Sequence, residues 1–335
     1  MRSKVPLTTL KLLLSVALFA WLFTKIDVNR FIGIAVQAAP VYIFAGALLF
    51  VAQALLAGLR WQRIVLRLGG QLPIRQAVHW VFVGQFFNQA LPTSIGGDAI
   101  RIWQLHRHGA APGQAFASVA VERSSGLLIL GLMISASLPW VDTGPNAHLR
   151  WLLALLGPLL LLGLAGFCAG ERLIKLLPVK ALVGPATAMA SAFKKVAASG
   201  LALTELVILG ALSALAGIAA AWAIGLGIGI DLPFLPYIVF IGGTALVSVL
   251  PISLGGWGLR EITMVGFLGT AGVNTEQALT LSIIWGVLPL AVSLPSGLMF
   301  SLKWDRPNQP PPRLHDDNAS VLQEPAPLRD PVVPS

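Results

Sequence analysis

The ionisable residues that stand inside apolar sequence are Glu122 and Arg123, in "SVAVERSSGLLIL" (118–130), and Arg260 and Glu261, at the end of "LPISLGGWGLRE" (250–261). A charge at the centre of a bilayer costs roughly 2.5–3.5 kcal/mol on insertion scales. Such residues therefore face a polar interior and carry function by default. Guanidinium groups match phosphate and carboxylate oxygens, so the chemistry on offer is capture of an anionic head group. A helix starting near residue 113 places Glu122 and Arg123 about 14–15 Å deep. Adjacent helical positions point about 100° apart, so these two do not neutralise each other face to face. Each needs a partner from elsewhere, and Asp98, Arg101, Arg260 and Glu261 are the candidates. A buried ion pair that only fixes packing is the alternative.

Arg101 and Arg260 belong to a sentence the chain writes twice. "LPTSIGGDAIR" (91–101) returns as "LPISLGGWGLR" (250–260), 159 positions later, with six of eleven residues identical. Pro92 and Pro251 break a helix ladder, and the pairs Gly96/Gly97 and Gly255/Gly256, with Gly258, permit a tight reversal and close backbone approach. A break of that kind is buried in protein or lines a wet cavity, because exposed backbone is not tolerated in lipid. The residues after the glycines read as new helix starts whose free N–H groups and positive dipole ends favour an anion. Arg101 and Arg260 then occupy equivalent places just inside two inward-pointing half-helices and form a phospholipid head-group cradle. Asn88 and Gln89, just before the first motif, are placed to hydrogen-bond the broken backbone or the substrate. The plainer reading is that proline and glycine end helices and Arg101 marks the cytoplasmic interface.

The elements that must position these groups follow from composition. Hydrophobic residues make up 56% of the 335 and charged residues 11%, against roughly 25% charged in soluble domains. The fold class is an all-α polytopic membrane protein. Stretches long enough to cross a roughly 30 Å hydrocarbon core fall at about 8–26, 40–59, 113–139, 149–169, 200–228 and 278–302, while 76–91 and 234–251 run into the motifs as hairpins, re-entrant or fully spanning. The first of these is read as an uncleaved helix rather than a signal peptide. With both termini cytoplasmic, seventeen Lys and Arg fall inside and three (Lys25, Arg30, Arg150) outside, a strong positive-inside bias. Trp61, Trp140, Trp151 and Trp304 fall at span ends as interfacial anchors. Residues 8–139 and 149–302 repeat one order of elements, and three crossings separate their starts, which predicts an inverted-topology repeat of the kind many secondary transporters use. The transmembrane domain is expected over 1–303, with a disordered Pro-rich cytoplasmic tail at 304–335.

Other groups add little. The net charge of +9 follows membrane topology and implies no nucleic-acid partner. The lone Cys168 excludes an intramolecular disulfide. His106 and His108 read as a solvated helix end rather than a metal site, and Glu205 as interfacial rather than as a proton carrier. There is no phosphate loop, zinc-protease motif or nucleophile elbow, so no ATP hydrolysis, catalytic residue, metal or cofactor is expected.

Taken in order, "NQALPTSIGGDAIR" (88–101), "SVAVERSSGLLIL" and "LPISLGGWGLRE" resemble the lysylphosphatidylglycerol synthase transmembrane region family, also called flippase-like domains, over nearly all of residues 8–302. The resemblance maps the family pattern onto Asn88, Pro92, Gly96, Gly97, Asp98 and Arg101, onto Glu122 and Arg123, and onto Pro251, Gly255, Gly256, Gly258, Arg260 and Glu261. In its bifunctional members this region moves an aminoacylated phospholipid between leaflets, and a soluble synthetase domain makes that lipid. About thirty Pro-rich residues follow the last span here, so lipid aminoacylation is not expected of this chain. Stand-alone relatives are associated with other lipids, including polyprenyl-linked sugars and hopanoids. The resemblance implies a non-enzymatic lipid transporter of the bacterial inner membrane that moves a polar-headed lipid, anionic or zwitterionic, through a central charged cavity, with that lipid as partner and a separately encoded lipid-synthesis enzyme as a second. The alternatives are a membrane-embedded transferase that modifies a lipid, and a non-transporting member of a lipid or glycan synthesis complex.

Overall fold

The computed structural model describes residues 24, 27–90, 96–143, 147–170, 180–249 and 256–304. Eleven α-helices occupy them: α1 (Val28–Gln37), α2 (Pro40–Arg67), α3 (Ile74–Ala90), α4 (Gly96–Arg107), α5 (Pro112–Ser137), α6 (Ala147–Ala169), α7 (Lys180–Ala197), α8 (Gly200–Gly227), α9 (Phe234–Ser248), α10 (Leu259–Thr270) and α11 (Thr275–Trp304). There is no strand among the described residues. Five helices are long and apolar enough to cross a membrane: α2, α5, α6, α8 and α11. The chain is an all-α polytopic membrane protein. The expected first span at 8–26 and the tail beyond Trp304 lie outside the described residues.

The repetition runs well beyond the motif. Helices α2 and α8 have 28 residues each and stop on Gly69 and Gly229, both at positive φ (84° and 79°), a left-handed conformation that glycine adopts without penalty. Pro73 and Pro233 follow at the same spacing. Helices α4 and α10 have 12 residues each and stop on Gly109 and Gly272 (φ 102° and 80°). Both copies therefore read long helix, shorter arm, motif, 12-residue arm, long helix. A 12-residue helix is about 18 Å long, too short to cross a roughly 30 Å core alone.

Helices α2 and α8 pack antiparallel. The Ala39 N–H donates to the Gly227 carbonyl (2.8 Å), Gly46 meets Ile224, Ser213 Oγ donates to the Gln53 carbonyl (3.3 Å), and Arg63 pairs with Glu205 (3.0 Å). Glu205 is thus part of a surface ion pair near one end of the α2–α8 pair. The hairpin of each copy packs against the last helix of the other, α9 on α5 and α3 on α11. Gly242 seats against Ile134 and Leu130, and Gly297 against Phe86. The equivalent helices α2 and α8 thus run in opposite directions, and the hairpins of the two copies pack reciprocally.

Two expectations about span ends need correction. The second span extends eight residues past its expected end, to Arg67. Trp61, expected as an interfacial anchor, is instead fully buried, its indole N–H donating to Ser118 Oγ (3.2 Å). Trp140 and Trp151 are exposed at one end of the bundle, where amphipathic rings favour the headgroup level.

Candidate substrate site

The first hairpin is closed by contact of backbone with backbone. Gly97, in the first turn of α4, lies directly on Gly84 of α3, and its N–H donates to Asn88 Oδ1 (2.8 Å). That closure brings Asp98 and Arg101 against α5 and α2.

There they join a row of five charges alternating in sign. Arg60 Nη2 pairs with Glu122 Oε1. Arg101 Nη2 donates to Glu122 Oε2 (3.2 Å) and to Asp98 Oδ1 (2.6 Å). Arg123 Nε donates to Asp98 Oδ2 (2.7 Å). Arg60, Glu122, Arg101 and Asp98 are all buried; the side chain of Arg123 is 41% exposed. Arg101 also lies over the ring of Trp61, 5.1 Å from its centroid, a favourable site for a guanidinium. As expected, Glu122 and Arg123 find partners elsewhere: Glu122 takes Arg101 and Arg60, and Arg123 takes Asp98.

The second hairpin is built differently. Arg260 pairs with its neighbour Glu261 through two contacts to Oε1 (Nη2 2.6 Å, Nε 3.0 Å). The rule that adjacent helical residues do not meet fails here because both stand in the first turn of α10. There Glu261 folds back to accept the Gly258 N–H (2.5 Å) while also accepting from Ser282 Oγ (3.3 Å). Arg260 lies over Trp257 at 4.2 Å. Gly286 of α11 supplies the room: a Cβ there would fall on the guanidinium of Arg260.

These features correct the expected cradle in two ways. The motif arginines are not equivalent within their helices: Arg101 is the sixth residue of α4 and Arg260 the second of α10, because Gly256–Gly258 form a turn where the first copy is already helical. The Gly97 and Gly258 N–H groups are not free for an anion either. One is taken by Asn88 and the other by Glu261, so the charged groups left to meet an anion are side-chain guanidiniums. Pro92, Pro251 and Gly255 lie outside the described residues.

A cavity of about 600 Å³ connects the two halves, and Asn88, Asp98, Arg101, Glu122, Arg123 and Arg260 all line it. Glu261 does not; it braces Arg260 from behind and is completely buried. Gln53, Gln85, Gln89, Ser213 and Ser248 add neutral polar groups, and Phe50, Val81 and Trp285 apolar wall. Arg60 was missed in the sequence, where it counts among the cytoplasmic cations at the end of a span. Arg60 and Arg101, both counted among the seventeen cations expected on the cytoplasmic side, line the cavity instead. The helical phase from Arg60 to Arg63 and Arg67, which face Glu205 at the surface, does not by itself distinguish Arg60. Its partner Glu122 does. Among the described residues no cluster of His, Cys, Asp or Glu could hold a metal ion.

Comparison with known proteins adds a lineage. Residues 8–297 match the lysylphosphatidylglycerol synthase TM region. A membrane protein of Methanocaldococcus jannaschii, "UPF0104 membrane protein MJ1595", is 26% identical over 125 residues, 37% of each chain. "Glycosyltransferase AglD" of Haloferax volcanii is 24% identical over 337 aligned positions, covering 86% of this chain and 53% of that protein. The chain thus spans about half the length, or less, of the curated relatives it matches.

Proposed function

The chain belongs to the lysylphosphatidylglycerol synthase transmembrane-region family, and on that premise we propose that it moves a lipid with an anionic head group between the two leaflets of the cell membrane. The observation that carries this reading is one cavity, between two copies of a hairpin, into which both motif arginines reach. Three guanidinium groups against two carboxylates leave the Arg60–Arg123 row with one unit of positive charge, while Arg260 and Glu261 cancel. A single negative group restores neutrality. Substrate sites at the interface of repeats, formed by discontinuous helices, are the plan of transporters that open alternately to the two faces. In this reading the halves are inverted copies, both ends of the transmembrane region face the cytoplasm of a bacterial cell, and the lipid is made by a separate enzyme. The chain itself performs no covalent chemistry.

Purified protein in proteoliposomes is expected to equilibrate a fluorescent anionic phospholipid between leaflets faster than protein-free vesicles, as read by dithionite quenching of the outer leaflet. A half-time equal to that of empty vesicles would remove the transport reading. The glycosyltransferase name of the Haloferax relative favours a second reading, transfer of a group onto a membrane lipid. In the same vesicles, mass spectrometry of the extracted lipid separates the two: a new covalent species supports transfer, and unchanged lipid supports movement alone.

A further inference from the structure

We infer that α1 is a membrane-interface helix: it lies flat along one rim of the bundle, with Val28, Ile32 and Val36 sunk in the lipid of that leaflet and Arg30 and Gln37 in water. The inference is independent of what the cavity carries.

The first ground is how the helix lies. Both of its ends are fastened to the same end of the bundle. The Asp27 N–H donates to Glu276 Oε1 in the first turn of α11 (3.4 Å), and the Ala39 N–H donates to the Gly227 carbonyl in the last turn of α8 (2.8 Å). Those two anchor points stand at one level, because Gln277 Nε2 of α11 donates to the carbonyls of Ile228 and Gly229 just past α8 (3.3 and 3.0 Å). A helix of ten residues is about 15 Å long. Held at both ends at this level, it runs across the rim and not along the spans.

The second ground is the division of its surface into three faces. Ile34 and, at the C-cap, Ala38 pack against the core. Arg30 and Gln37 are exposed on a polar face. Val28, Ile32 and Val36, four residues apart, form an apolar stripe left 46%, 51% and 79% exposed. At about 100° per residue, the centre of that stripe lies about 150° from Arg30 and Gln37. Apolar and polar faces so opposed are what a helix lying in the interface plane requires. The stripe also leads along the chain into Val41, Phe44 and Leu48, the exposed face that the span α2 turns to lipid.

The third ground is what holds so short a helix together. A helix of this length is marginal in water without an apolar face to bury. No residue of α1 is fully buried by protein. Lipid supplies the burial that the protein does not.

The test is site-directed spin labelling of the full chain on a Cys168→Ala background, in vesicles of phosphatidylcholine and phosphatidylglycerol. Labels are placed by Val28→Cys, Ile32→Cys and Val36→Cys on the stripe and by Arg30→Cys and Gln37→Cys opposite it, all exposed positions where no packed side chain is displaced. Collision with oxygen reports lipid, and collision with a water-soluble nickel chelate reports water. The stripe labels are expected about 5–10 Å into the boundary between head groups and acyl chains, with an oxygen-to-nickel ratio severalfold above that of the two polar-face labels. Val28 and Val36 are expected at equal depth; a difference of about 12 Å, the rise over eight residues, means that the helix stands on end and overturns the inference. A stripe dominated by nickel collisions overturns it too, because the face then meets water. So does low access to both reagents, because the stripe is then covered by protein, from the residues preceding α1 or from a second copy. Photolabelling of the unmodified protein by a phospholipid carrying a diazirine near its glycerol backbone repeats the test without substitution: adducts are expected on Val28, Ile32 or Val36, and their absence there, with adducts on α2, overturns the inference.

Discussion

Arg123→Ala is expected to yield protein that inserts and folds but moves lipid no faster than empty vesicles, whereas Glu122→Ala is expected to yield little folded protein at all. The two residues are adjacent in sequence and differ in what they leave behind. Arg123 ends the row of charges at the cavity, and without it Asp98 keeps its 2.6 Å contact to Arg101. Nothing buried is stranded. Glu122 holds Arg60 and Arg101 together, and its loss leaves Arg60 without its carboxylate in a buried site. Breaking a buried pair costs about 3–5 kcal/mol, a large part of the roughly 5–15 kcal/mol that stabilises a typical protein. Thermal unfolding in detergent, with leaflet exchange normalised to folded protein, checks both. An Arg123→Ala protein keeping more than half the parent rate would remove it from the transport path; a Glu122→Ala protein as stable as its parent would show that the row carries no stability. Swapping the signs of one pair within the row is no remedy, because exchanging either Asp98 with Arg123 or Arg60 with Glu122 sets an arginine beside Arg101.

The second large effect belongs to a methyl group. Gly97→Ala is expected to lower the unfolding temperature much further than Gly256→Ala and to abolish lipid movement, although the two glycines hold the same place in the repeated motif. A Cβ on Gly97 would land on the backbone of Gly84, where no side chain can yield, so the hairpin arms must part and the Gly97–Asn88 bond is lost with them. Gly256 has open surroundings, its nearest neighbour Ser248 O standing 3.4 Å from the added carbon. The penalty there is the left-handed backbone (φ 85°), about 1–2 kcal/mol. The paired unfolding temperatures decide the matter. If Gly256→Ala melts at or below Gly97→Ala, contact between the arms is not what holds the first hairpin shut.

Much of this architecture is legible in the sequence because membrane helices announce themselves by length and the motif by identity. The motif gave the breaks and both arginines, and the depth of Glu122 and Arg123 gave the interior charge. The pairing was not legible. Arg60 stands at the apparent end of a span, where cations are expected, and only the extra turns of α2 carry it inside. The row Arg60–Glu122–Arg101–Asp98–Arg123 draws on three helices, and spacing along one chain cannot rank partners contributed by three. Nor does sequence identity across the motif reveal that α10 starts four residues later than α4, at the position equivalent to Ile100. That delay seats Arg260 in a first turn beside Glu261, and with it each hairpin handles its cation in its own way.

The odd number of charges in that row has an electrical consequence. In the proposed transport cycle an empty site carrying one positive charge, exposed first to one face and then to the other, conveys that charge through the transmembrane field, at about 2.3 kcal/mol per 100 mV. A site loaded with a monoanionic head group is neutral and crosses silently. In an alternating cycle, voltage therefore acts on the return of the empty carrier and leaves the loaded step alone. A potassium-diffusion potential across the vesicles should change the rate of one-way lipid delivery and leave the exchange of lipid for lipid untouched. If both respond equally, the row is not what the field moves.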